Sequence, residues 1–459
     1  MNQGPQTEAH RAPALADPMP VRPHTRPFNA LLTPPGSKSL TNRALLLAGL
    51  ATGQSIIRRS LIEADDTARM IDALRRLGAG IERESTDTLR VEGVAGRWKP
   101  EGRELSLDLG NAGTATRFLA AASVLSPIPV IIDGNARMRQ RPIGELTGAL
   151  AALGVRIQHL GTPDCPPVRI TPPDFDLSSP KIEFGSLKSS QFVSALLLIA
   201  PWISGGLTVR HSATVTSPSY IWMSLRLLER LGASVQSSED LRVIRVGPGD
   251  GPGMHGFDLS IEPDASSATY WWAAAAIVPG SSAMVRGLTA DSLQGDASFP
   301  SLLERMGASV EPHADGIACT GPTELRSIAA DMTDMPDAAM SLAAVACFAR
   351  GASIIRGLQT LRVKESDRIA AMETELAKIG ARVEANYLGD PGAIRITPPA
   401  TGVDCSTSAP QVEFDTYDDH RMAMSLALIG LRRPNVLVRD PACVNKTYPT
   451  FWRDLSKLG

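Results

Sequence analysis

Apolar segments with helical spacing recur along the chain, and each ends in a hydrophobic residue, a glycine and a run that favours a strand. The complete copies are LRRLGAGI at 74, LAALGVRI at 150, LERLGASV at 228, LERMGASV at 303 and LAKIGARV at 376, and LSKLG at 455 begins a sixth. Their glycines, Gly78, Gly154, Gly232, Gly307, Gly380 and Gly459, lie 76, 78, 75, 73 and 79 residues apart. Because a glycine after an apolar helix supplies the positive φ of a C-cap, each copy predicts a helix end followed by a strand.

A second helix-to-strand pattern precedes each copy. The predicted strands lie within ATGQSIIRRS (51–60), SPIPVIIDG (126–134), SGGLTVRHS (204–212), PGSSAMVRG (279–287), ARGASIIRG (349–357) and RRPNVLVRD (432–440). The order helix, strand, loop, helix, strand is therefore repeated six times. A period of this length holds several elements and makes a small subdomain, whereas solenoid repeats are shorter. Six subdomains in 459 residues predict two α/β domains of three, because one hydrophobic core is too small for so long a chain.

The run richest in Gly and Pro, GPGDGPGMHG (247–256), follows the third copy and predicts a loop between the two halves. It contains a GxGxxG match at Gly251, Gly253 and Gly256. A dinucleotide site needs such glycines to open a helix, but the extended run FDLSIEP follows here. The context therefore disfavours a nucleotide cofactor.

Composition narrows the class of protein. Hydrophobic residues make up 43% of the chain, and 46 basic against 48 acidic side chains give a net charge of −2. This balance indicates a soluble globular chain and predicts neither a nucleic-acid partner nor a membrane surface. Five scattered cysteines without a CxxC pair and seven histidines without metal-ligand spacing predict no disulfide framework and no metal, so a cytoplasmic protein is expected. Residues 1–27 hold six prolines and predict a flexible extension rather than a signal peptide.

Cations cluster where the first helix of each repeat is predicted to begin. The six starts are GSKSLTNRALLLAGLA (36–51), GNAGTATRFLAAA (110–122), SLKSSQFVSALLL (186–198), PDASSATYWWAAAA (263–276), DMPDAAMSLAAVA (334–346) and YDDHRMAMSLALI (417–429). Their small and polar residues suit helix caps, and capping alone accounts for the SSAT start. It does not account for the cations, which stand beside exposed helix amides and so favour anion binding. These cations are Lys38, Arg43, Arg117 and Arg421.

Loops after the predicted strands add further cations, namely Arg137, Arg139, Arg141, Lys364, Arg368 and Lys446. Any single one of these residues could be an ordinary solvent-exposed charge. The whole set, at corresponding positions in both halves, predicts two lobes that close on a ligand with several anionic groups. Asp337, Glu365, Asp418 and Asp419 stand among these cations, and carboxylates held by nearby charge suit acid–base chemistry. Asp337 also fits a simple helix cap, and spacing alone leaves both interpretations open.

Eight motifs carry a resemblance to a known family. In order from residue 36 to 449 they are GSKSLTNR, GNAGTATR, RPIGEL, KSSQF, MPDAAM, RVKESDR, YDDHRMAM and NKTYP. Through them the chain resembles the 5-enolpyruvylshikimate-3-phosphate (EPSP) synthases, the 3-phosphoshikimate 1-carboxyvinyltransferases. The resemblance implies an α/β fold of two inside-out domains, each of three βαβαββ units. The expected domains are residues 36–260 and residues 261–459, the second joined by residues 28–35.

The resemblance also implies an activity, which is transfer of the enolpyruvyl group of phosphoenolpyruvate to the 5-hydroxyl of 3-phosphoshikimate with release of phosphate. This reaction belongs to the shikimate pathway, which leads to chorismate and the aromatic amino acids. The small-molecule substrates would be the partners, no cofactor or metal would be needed, and a monomer is expected. Asp337 resembles the family's acceptor of the hydroxyl proton, Glu365 its donor to the methylene carbon, and Lys38 a catalytic contact to both substrates.

The family's binding residues map onto two further sets. Residues implied for 3-phosphoshikimate are Lys38, Ser39, Arg43, Ser189, Ser190, Gln191, Ser217, Asp337 and Lys364. Residues implied for phosphoenolpyruvate are Lys38, Gly113, Arg141, Gln191, Arg368, Arg421 and Lys446. Thr360 stands where some members carry asparagine and is not expected in the site. The NAGTA motif around Gly113 implies sensitivity to the herbicide glyphosate, as in members where it fits beside the phosphoenolpyruvate pocket.

Two alternatives compete with this assignment. The sister enolpyruvyl transferase acting on UDP-N-acetylglucosamine shares the fold, but it typically uses a cysteine on a loop of its N-terminal half. No cysteine occurs in the sequence between Gly113 and Arg141, which disfavours that substrate. A non-catalytic repeat scaffold is the other alternative, and it leaves the acids among the phosphate-type contacts unexplained.

Overall fold

The computed structural model describes residues 15–249, 251 and 253–458. Over these residues the chain forms twenty-five strands and twelve α-helices. The strands are β1 (Met19–Val21), β2 (Asn29–Leu32), β3 (Gln54–Arg58), β4 (Gly80–Arg83), β5 (Leu89–Glu92), β6 (Leu105–Asp108), β7 (Val130–Asp133), β8 (Arg156–His159), β9 (Val168–Thr171), β10 (Lys181–Phe184), β11 (Leu207–His211), β12 (Ser234–Ser237), β13 (Val243–Gly247), β14 (Asp258–Ser260), β15 (Ser282–Arg286), β16 (Ser309–His313), β17 (Gly316–Thr320), β18 (Leu325–Arg326), β19 (Ala329–Asp331), β20 (Ala349–Arg350), β21 (Ser353–Arg356), β22 (Arg382–Ala385), β23 (Ile394–Thr397), β24 (Val412–Phe414) and β25 (Val436–Val438). The helices are α1 (Lys38–Leu50), α2 (Asp65–Arg76), α3 (Gly113–Ala122), α4 (Gly144–Ala152), α5 (Gln191–Ile199), α6 (Pro218–Arg230), α7 (Ala265–Ile277), α8 (Phe299–Arg305), α9 (Ala339–Ala346), α10 (Arg368–Ala377), α11 (His420–Gly430) and α12 (Phe451–Leu455).

Five four-stranded sheets among the described residues share one connectivity. In the sheet β6-β7-β9-β8, β6 lies parallel to β7, and β9 pairs antiparallel with both β7 and β8. The sheets β14-β3-β5-β4, β10-β11-β13-β12, β2-β15-β17-β16 and β19-β21-β23-β22 repeat this order. Since a helix follows each of the first two strands, the unit is βαβαββ, as predicted. The sixth unit forms the smaller sheet β1-β25-β24.

Besides β1 in the sixth unit, two further strands join units from distant parts of the chain. Strand β14 lies parallel to β3, with Asp258 opposite Ile56, and so joins the unit that begins with α1. Strand β2 lies parallel to β15, with Asn29 opposite Ser282. The chain therefore crosses between the halves twice, once after β2 and once after β14.

The first described residues correct the expectation of a flexible extension over residues 1–27. Strand β1 pairs antiparallel with β25, with Val21 opposite Val436, and Val21 is buried in the core. The edge position explains why a proline-rich stretch can form a strand, because an edge strand tolerates missing amide donors. Residues 1–14, the rest of that expectation, lie outside the described residues.

Buried apolar side chains form two clusters, one in each half of the chain. One lies between Leu40 and Ile261, and the other combines Val21 and Phe28 with residues between Ala265 and Leu458. Every residue of α3, α7 and α11 is buried, whereas strands such as β8 keep one face exposed. Helices thus lie inside and sheets outside, which is the inside-out arrangement that the resemblance implies.

The local signals in the sequence correspond to real elements. Five repeat glycines, namely Gly78, Gly154, Gly232, Gly307 and Gly380, have φ between +78° and +107° after their helices, while Gly459 lies outside the described residues. The Gly- and Pro-rich run leads from β13 into β14, so its GxGxxG match precedes a strand rather than a helix. No helix in the described part of the chain is long and apolar enough to span a membrane.

Candidate active site

A cavity lies between the two halves, where the N-terminal ends of buried helices meet. It is lined by Lys38, Ser39, Arg43, Asp66, Gly113, Thr114, Phe118, Arg141, Ser189, Ser190, Gln191, Ser217, Tyr220, Asp337, Thr360, Lys364, Glu365, Arg368, His420 and Arg421. Lys38, Gly113, Gln191, Arg368 and His420 are the first residues of α1, α3, α5, α10 and α11. Because the unpaired amides of helix N-termini carry partial positive charge, this geometry favours anions.

The structure brings fourteen of the fifteen predicted site residues onto this lining. Lys446 is the exception, but its Nζ lies 3.5 Å from Glu365 Oε1 and 3.5 Å from Asp66 Oδ1. Its ammonium also donates to the carbonyl oxygen of Asn111, at 2.8 Å, across the boundary between the halves. Lys446 therefore stands directly behind the lining and links the two halves.

Arg43 is held by hydrogen bonds from the N-terminal half. Its Nε donates to Ser224 Oγ at 2.9 Å, Nη1 to the carbonyl of Ser39 at 3.0 Å, and Nη2 to the carbonyl of Tyr220 at 3.1 Å. Burial lowers the pKa of Arg43 to about 10, which leaves the guanidinium charged at neutral pH. The result is a fixed cation beside the start of α1.

Arg141 approaches the start of α3 closely. Its Nη1 donates to Asn111 Oδ1 at 3.0 Å, and its buried Nε has no hydrogen-bond partner among the described residues. A Cβ placed on Gly113 would lie 2.6 Å from Arg141 Nη2, inside contact distance. The glycine is therefore needed for this guanidinium to sit against the helix terminus.

Asp337, in the turn before α9, is surrounded by cations. Its Oδ1 lies 2.9 Å from Arg368 Nη1 and 3.4 Å from Lys364 Nζ, and its Oδ2 lies 3.1 Å from Arg421 Nη2. Tyr220 donates its phenol hydrogen to Oδ2 at 3.2 Å. Burial opposes ionisation, but the charges of Arg421, Lys364 and Arg368 outweigh it and hold the pKa of Asp337 well below its usual range. The carboxylate thus faces cations and a phenol rather than helix amides, unlike a simple cap.

Glu365 shares a guanidinium with Asp337. Arg368 Nη2 lies 3.0 Å from Glu365 Oε2, and Arg368 Nε lies 2.8 Å from Asp419 Oδ2, which fixes the guanidinium. Burial opposes ionisation of Glu365, but Lys446, Arg368 and Arg141 together hold its pKa well below the usual range. Because one guanidinium contacts both carboxylates, their protonation is coupled.

Several lining residues were not predicted as site residues, and they are Asp66, Thr114, Phe118, Tyr220, Thr360 and His420. Thr360 corrects the expectation that placed it outside the site. Asp66 and Tyr220 lie on α2 and α6, the second helices of their repeats, and neither belongs to one of the eight motifs. His420 stands between two residues already singled out, so its position in the motif could have suggested it.

Two of the predicted cations make their contacts within the N-terminal half only. Arg139 is half-exposed and pairs with Asp133 at 2.7 Å within its own half. Arg117 is buried and donates to the carbonyl of Pro142 at 2.7 Å, and burial lowers its pKa to about 9. Neither side chain lines the cavity. Within the described ranges, no group of three or more His, Cys, Asp or Glu residues is arranged to hold a metal ion.

Comparison with known proteins decides the family. The family model described as EPSP synthase (3-phosphoshikimate 1-carboxyvinyltransferase) matches residues 23–455. This chain belongs to the EPSP synthase family. It is 42% identical over 429 residues to the 3-phosphoshikimate 1-carboxyvinyltransferase of Laribacter hongkongensis, covering 92% of this chain and 95% of that protein. It is 39% identical over 447 residues to the chloroplastic protein of the same name from Brassica napus, covering 94% and 84%.

Solved structures agree with the family's fold. The EPSP synthase from Acinetobacter baumannii superimposes with a TM-score of 0.77 at 25% identity, covering 96% of this chain and 98% of that one. The enolpyruvyl transferase NikO from Streptomyces tendae has a TM-score of 0.72 at 20% identity, with 96% of each chain covered, and shows a shared fold alone. The resemblance seen in the eight motifs and the predicted fold class are therefore confirmed.

Proposed function

We propose that this EPSP synthase family member transfers the enolpyruvyl group of phosphoenolpyruvate to the 5-hydroxyl of 3-phosphoshikimate and releases phosphate. The observation that carries the proposal is the pair Asp337 and Glu365, which share Arg368 within a cavity lined by cations of both halves. Two substrates with several phosphate and carboxylate groups suit such a lining, because arginine forks bind these groups in a bidentate manner.

The carboxylates suit an addition followed by an elimination. Asp337 accepts the proton of the 5-hydroxyl as its oxygen bonds to C2 of phosphoenolpyruvate, and Glu365 donates a proton to C3, which becomes a methyl group. The result is a tetrahedral intermediate that still bears phosphate. A methyl proton then returns to Glu365, the C2–C3 double bond re-forms, and the C2–O bond to phosphate breaks. Phosphate takes up the proton held by Asp337, which restores both carboxyl groups.

The charges around Glu365 indicate that substrate binding must raise the pKa of this residue. Lys446, Arg368 and Arg141 hold Glu365 ionised, although a proton donor has to be protonated. The two roles would require opposite protonation states, but both pKa values lie low in the free protein. A bound phosphate or carboxylate pairs with these cations and raises the pKa of Glu365. Substrate anions would thus create the acid that the reaction uses.

The residue roles that we propose for binding follow the resemblance to the family's motifs. Around 3-phosphoshikimate we place Lys38, Ser39, Arg43, Ser189, Ser190, Gln191, Ser217, Asp337 and Lys364. Around phosphoenolpyruvate we place Lys38, Gly113, Arg141, Gln191, Arg368, Arg421 and Lys446. All of these residues except Lys446 line the same cavity, which supports the set as a whole, and Lys446 joins it through its contact with Glu365.

The organisation of the chain carries further proposals. We propose domains of residues 36–260 and 261–459, the latter joined by residues 28–35, which is supported by the two separate cores and by the pairing of β2 and β14. A monomer is proposed because one chain supplies both sides of the cavity. Its five cysteines are free, which supports the cytoplasm as its compartment.

The choice of acceptor is the first test of the proposed function. Purified protein and phosphoenolpyruvate should release phosphate with 3-phosphoshikimate, and should not do so with UDP-N-acetylglucosamine. A coupled phosphate assay measures both rates under matched conditions. Release with the nucleotide sugar alone would transfer the proposal to the sister enzyme, and no release with either would favour a binding protein.

Gly113 offers a test of the phosphoenolpyruvate pocket. The Gly113→Ala variant should raise the KM for phosphoenolpyruvate about 10- to 100-fold, since the new methyl group displaces the charged donor Arg141. The same variant should resist glyphosate, which should inhibit the wild-type enzyme at submillimolar concentrations. Gly148→Ala is the matched control, because a Cβ at that helical position meets open space. An unchanged KM in Gly113→Ala would remove Arg141 from the pocket.

A further inference from the structure

Arg137 joins the two halves from outside the cavity lining. It lies in the loop between β7 and α4, and its Nη2 donates to the carbonyl oxygen of Lys364 at 2.8 Å. Its Nε donates to the carbonyl oxygen of Glu365 at 2.9 Å. One guanidinium of the N-terminal half therefore holds two consecutive peptide carbonyls of the C-terminal half. Paired donors of this kind fix orientation as well as distance.

The loop that carries Arg137 is firmly anchored in its own half. Asn135 N donates to the carbonyl of Gly110 at 3.0 Å, and Asn135 Oδ1 accepts from Met138 N at 3.0 Å. Met138 is fully buried, and its carbonyl accepts from Arg141 N at 3.0 Å. The same short loop thus positions Arg141 in the cavity and Arg137 at the facing half.

The segment that receives these bonds carries two side chains of the proposed site. Lys364 Nζ lies 3.4 Å from Asp337 Oδ1, and Glu365 Oε2 lies 3.0 Å from Arg368 Nη2. Their backbone carbonyls point toward Arg137 while their side chains line the cavity. Lys446 makes the reciprocal link, from the C-terminal half to the carbonyl of Asn111. The backbone that carries the Lys364 and Glu365 side chains is therefore hydrogen-bonded to the opposite half.

We propose that Arg137 is a positioning residue that locks Lys364 and Glu365 in place when the halves close. The inference rests on the proposed function, because it assigns Arg137 to aiming the proton donor at the methylene carbon. A lysine at this position retains the charge but lacks the fork that reaches both carbonyls. Loss of the clamp should affect the chemical step most, since a displacement of about 1 Å costs about 10²-fold in rate.

The test compares Arg137→Gln and Arg137→Lys with Arg139→Gln, which removes an equal charge two residues away. Arg139 pairs with Asp133 within one half, so its variant should keep the wild-type kcat. Arg137→Gln should lower kcat by about 10- to 100-fold, with smaller changes in both KM values. Arg137→Lys should recover part of this loss. A thermal unfolding curve for each variant shows that the fold is intact.

A second measurement separates the clamp from the proposed reaction. With 3-phosphoshikimate and phosphoenolpyruvate present, small-angle X-ray scattering should give a larger radius of gyration for Arg137→Gln than for the wild type and Arg139→Gln. Equal radii and an equal kcat for Arg137→Gln and Arg139→Gln would overturn the clamp. If the wild type released no phosphate, the proposed function would fail, while the comparison of radii would still decide whether Arg137 holds the halves together.

Discussion

Replacing Asp337 with asparagine is expected to lower kcat by about 10²- to 10⁴-fold, which is the range for loss of a general base. The amide has nearly the same shape and can still accept from Arg368, but it cannot take up the proton of the 5-hydroxyl. Since the carboxylate lies among Arg421, Lys364 and Arg368, its removal also leaves more positive charge for an anionic substrate. The KM for 3-phosphoshikimate should therefore stay constant or fall. Steady-state kinetics with both substrates varied measures the two effects.

Asp291→Asn is the control for this substitution. Asp291 is exposed on the same half, so loss of its charge should leave kcat unchanged. A rise in KM at unchanged kcat for Asp337→Asn would identify Asp337 as a binding residue only. The low pKa of Asp337 adds a condition, because the base is already ionised well below neutral pH. No loss of activity between pH 8 and pH 6 should therefore come from protonation of this residue.

The fold could be predicted because residues close together in the sequence mark each copy of the repeat. Each helix end, such as those at Gly78 and Gly380, can be recognised from a few neighbouring residues: an apolar helix, a glycine with positive φ and a β-branched run. The exchange of β2 and β14 between the two halves could not be predicted in this way. Nothing local in the residues of β14 indicates that they pair with β3, since that pairing depends on how the two halves are connected. Strand β1 was missed for a similar reason, because prolines hide an edge strand whose partner is 415 residues away, with Val21 opposite Val436.

The residues of the candidate site also fall into those that the sequence predicted and those that it did not. Residues at the starts of first helices, such as Lys38 and Arg421, could be predicted, because helix amides and cations together indicate anion binding. Asp66 could not, since its carboxylate enters the cavity from α2 and meets Lys38 Nζ at 3.0 Å only through tertiary packing. The resemblance singled out Arg141, but the position of Arg137 and Arg139 in the loop did not distinguish these two arginines from each other. Only the folded loop sends these three guanidinium groups in different directions.

Replacing Glu365 with glutamine is the second substitution for which a large effect is expected, a fall in kcat of about 10²- to 10⁴-fold. Glutamine keeps the length of the side chain and can accept from Arg368, but its amide cannot protonate a carbon atom. Because a negative charge is lost beside Lys446, Arg368 and Arg141, binding of phosphoenolpyruvate should not weaken. The expected signature is a low kcat at a constant or lower KM for phosphoenolpyruvate.

The pH dependence makes this prediction specific to a proton donor. The cations lower the pKa of Glu365, so its proton is lost at lower pH than in an ordinary carboxyl group. The wild-type kcat should therefore fall as the pH rises through the pKa that Glu365 has in the substrate complex, up to about tenfold per pH unit, whereas the residual kcat of Glu365→Gln should lack this slope. Glu373→Gln, an exposed substitution on α10, the helix that follows Glu365, should retain both the rate and the slope. If Glu365→Gln kept the wild-type slope, another group would have to supply the proton to C3.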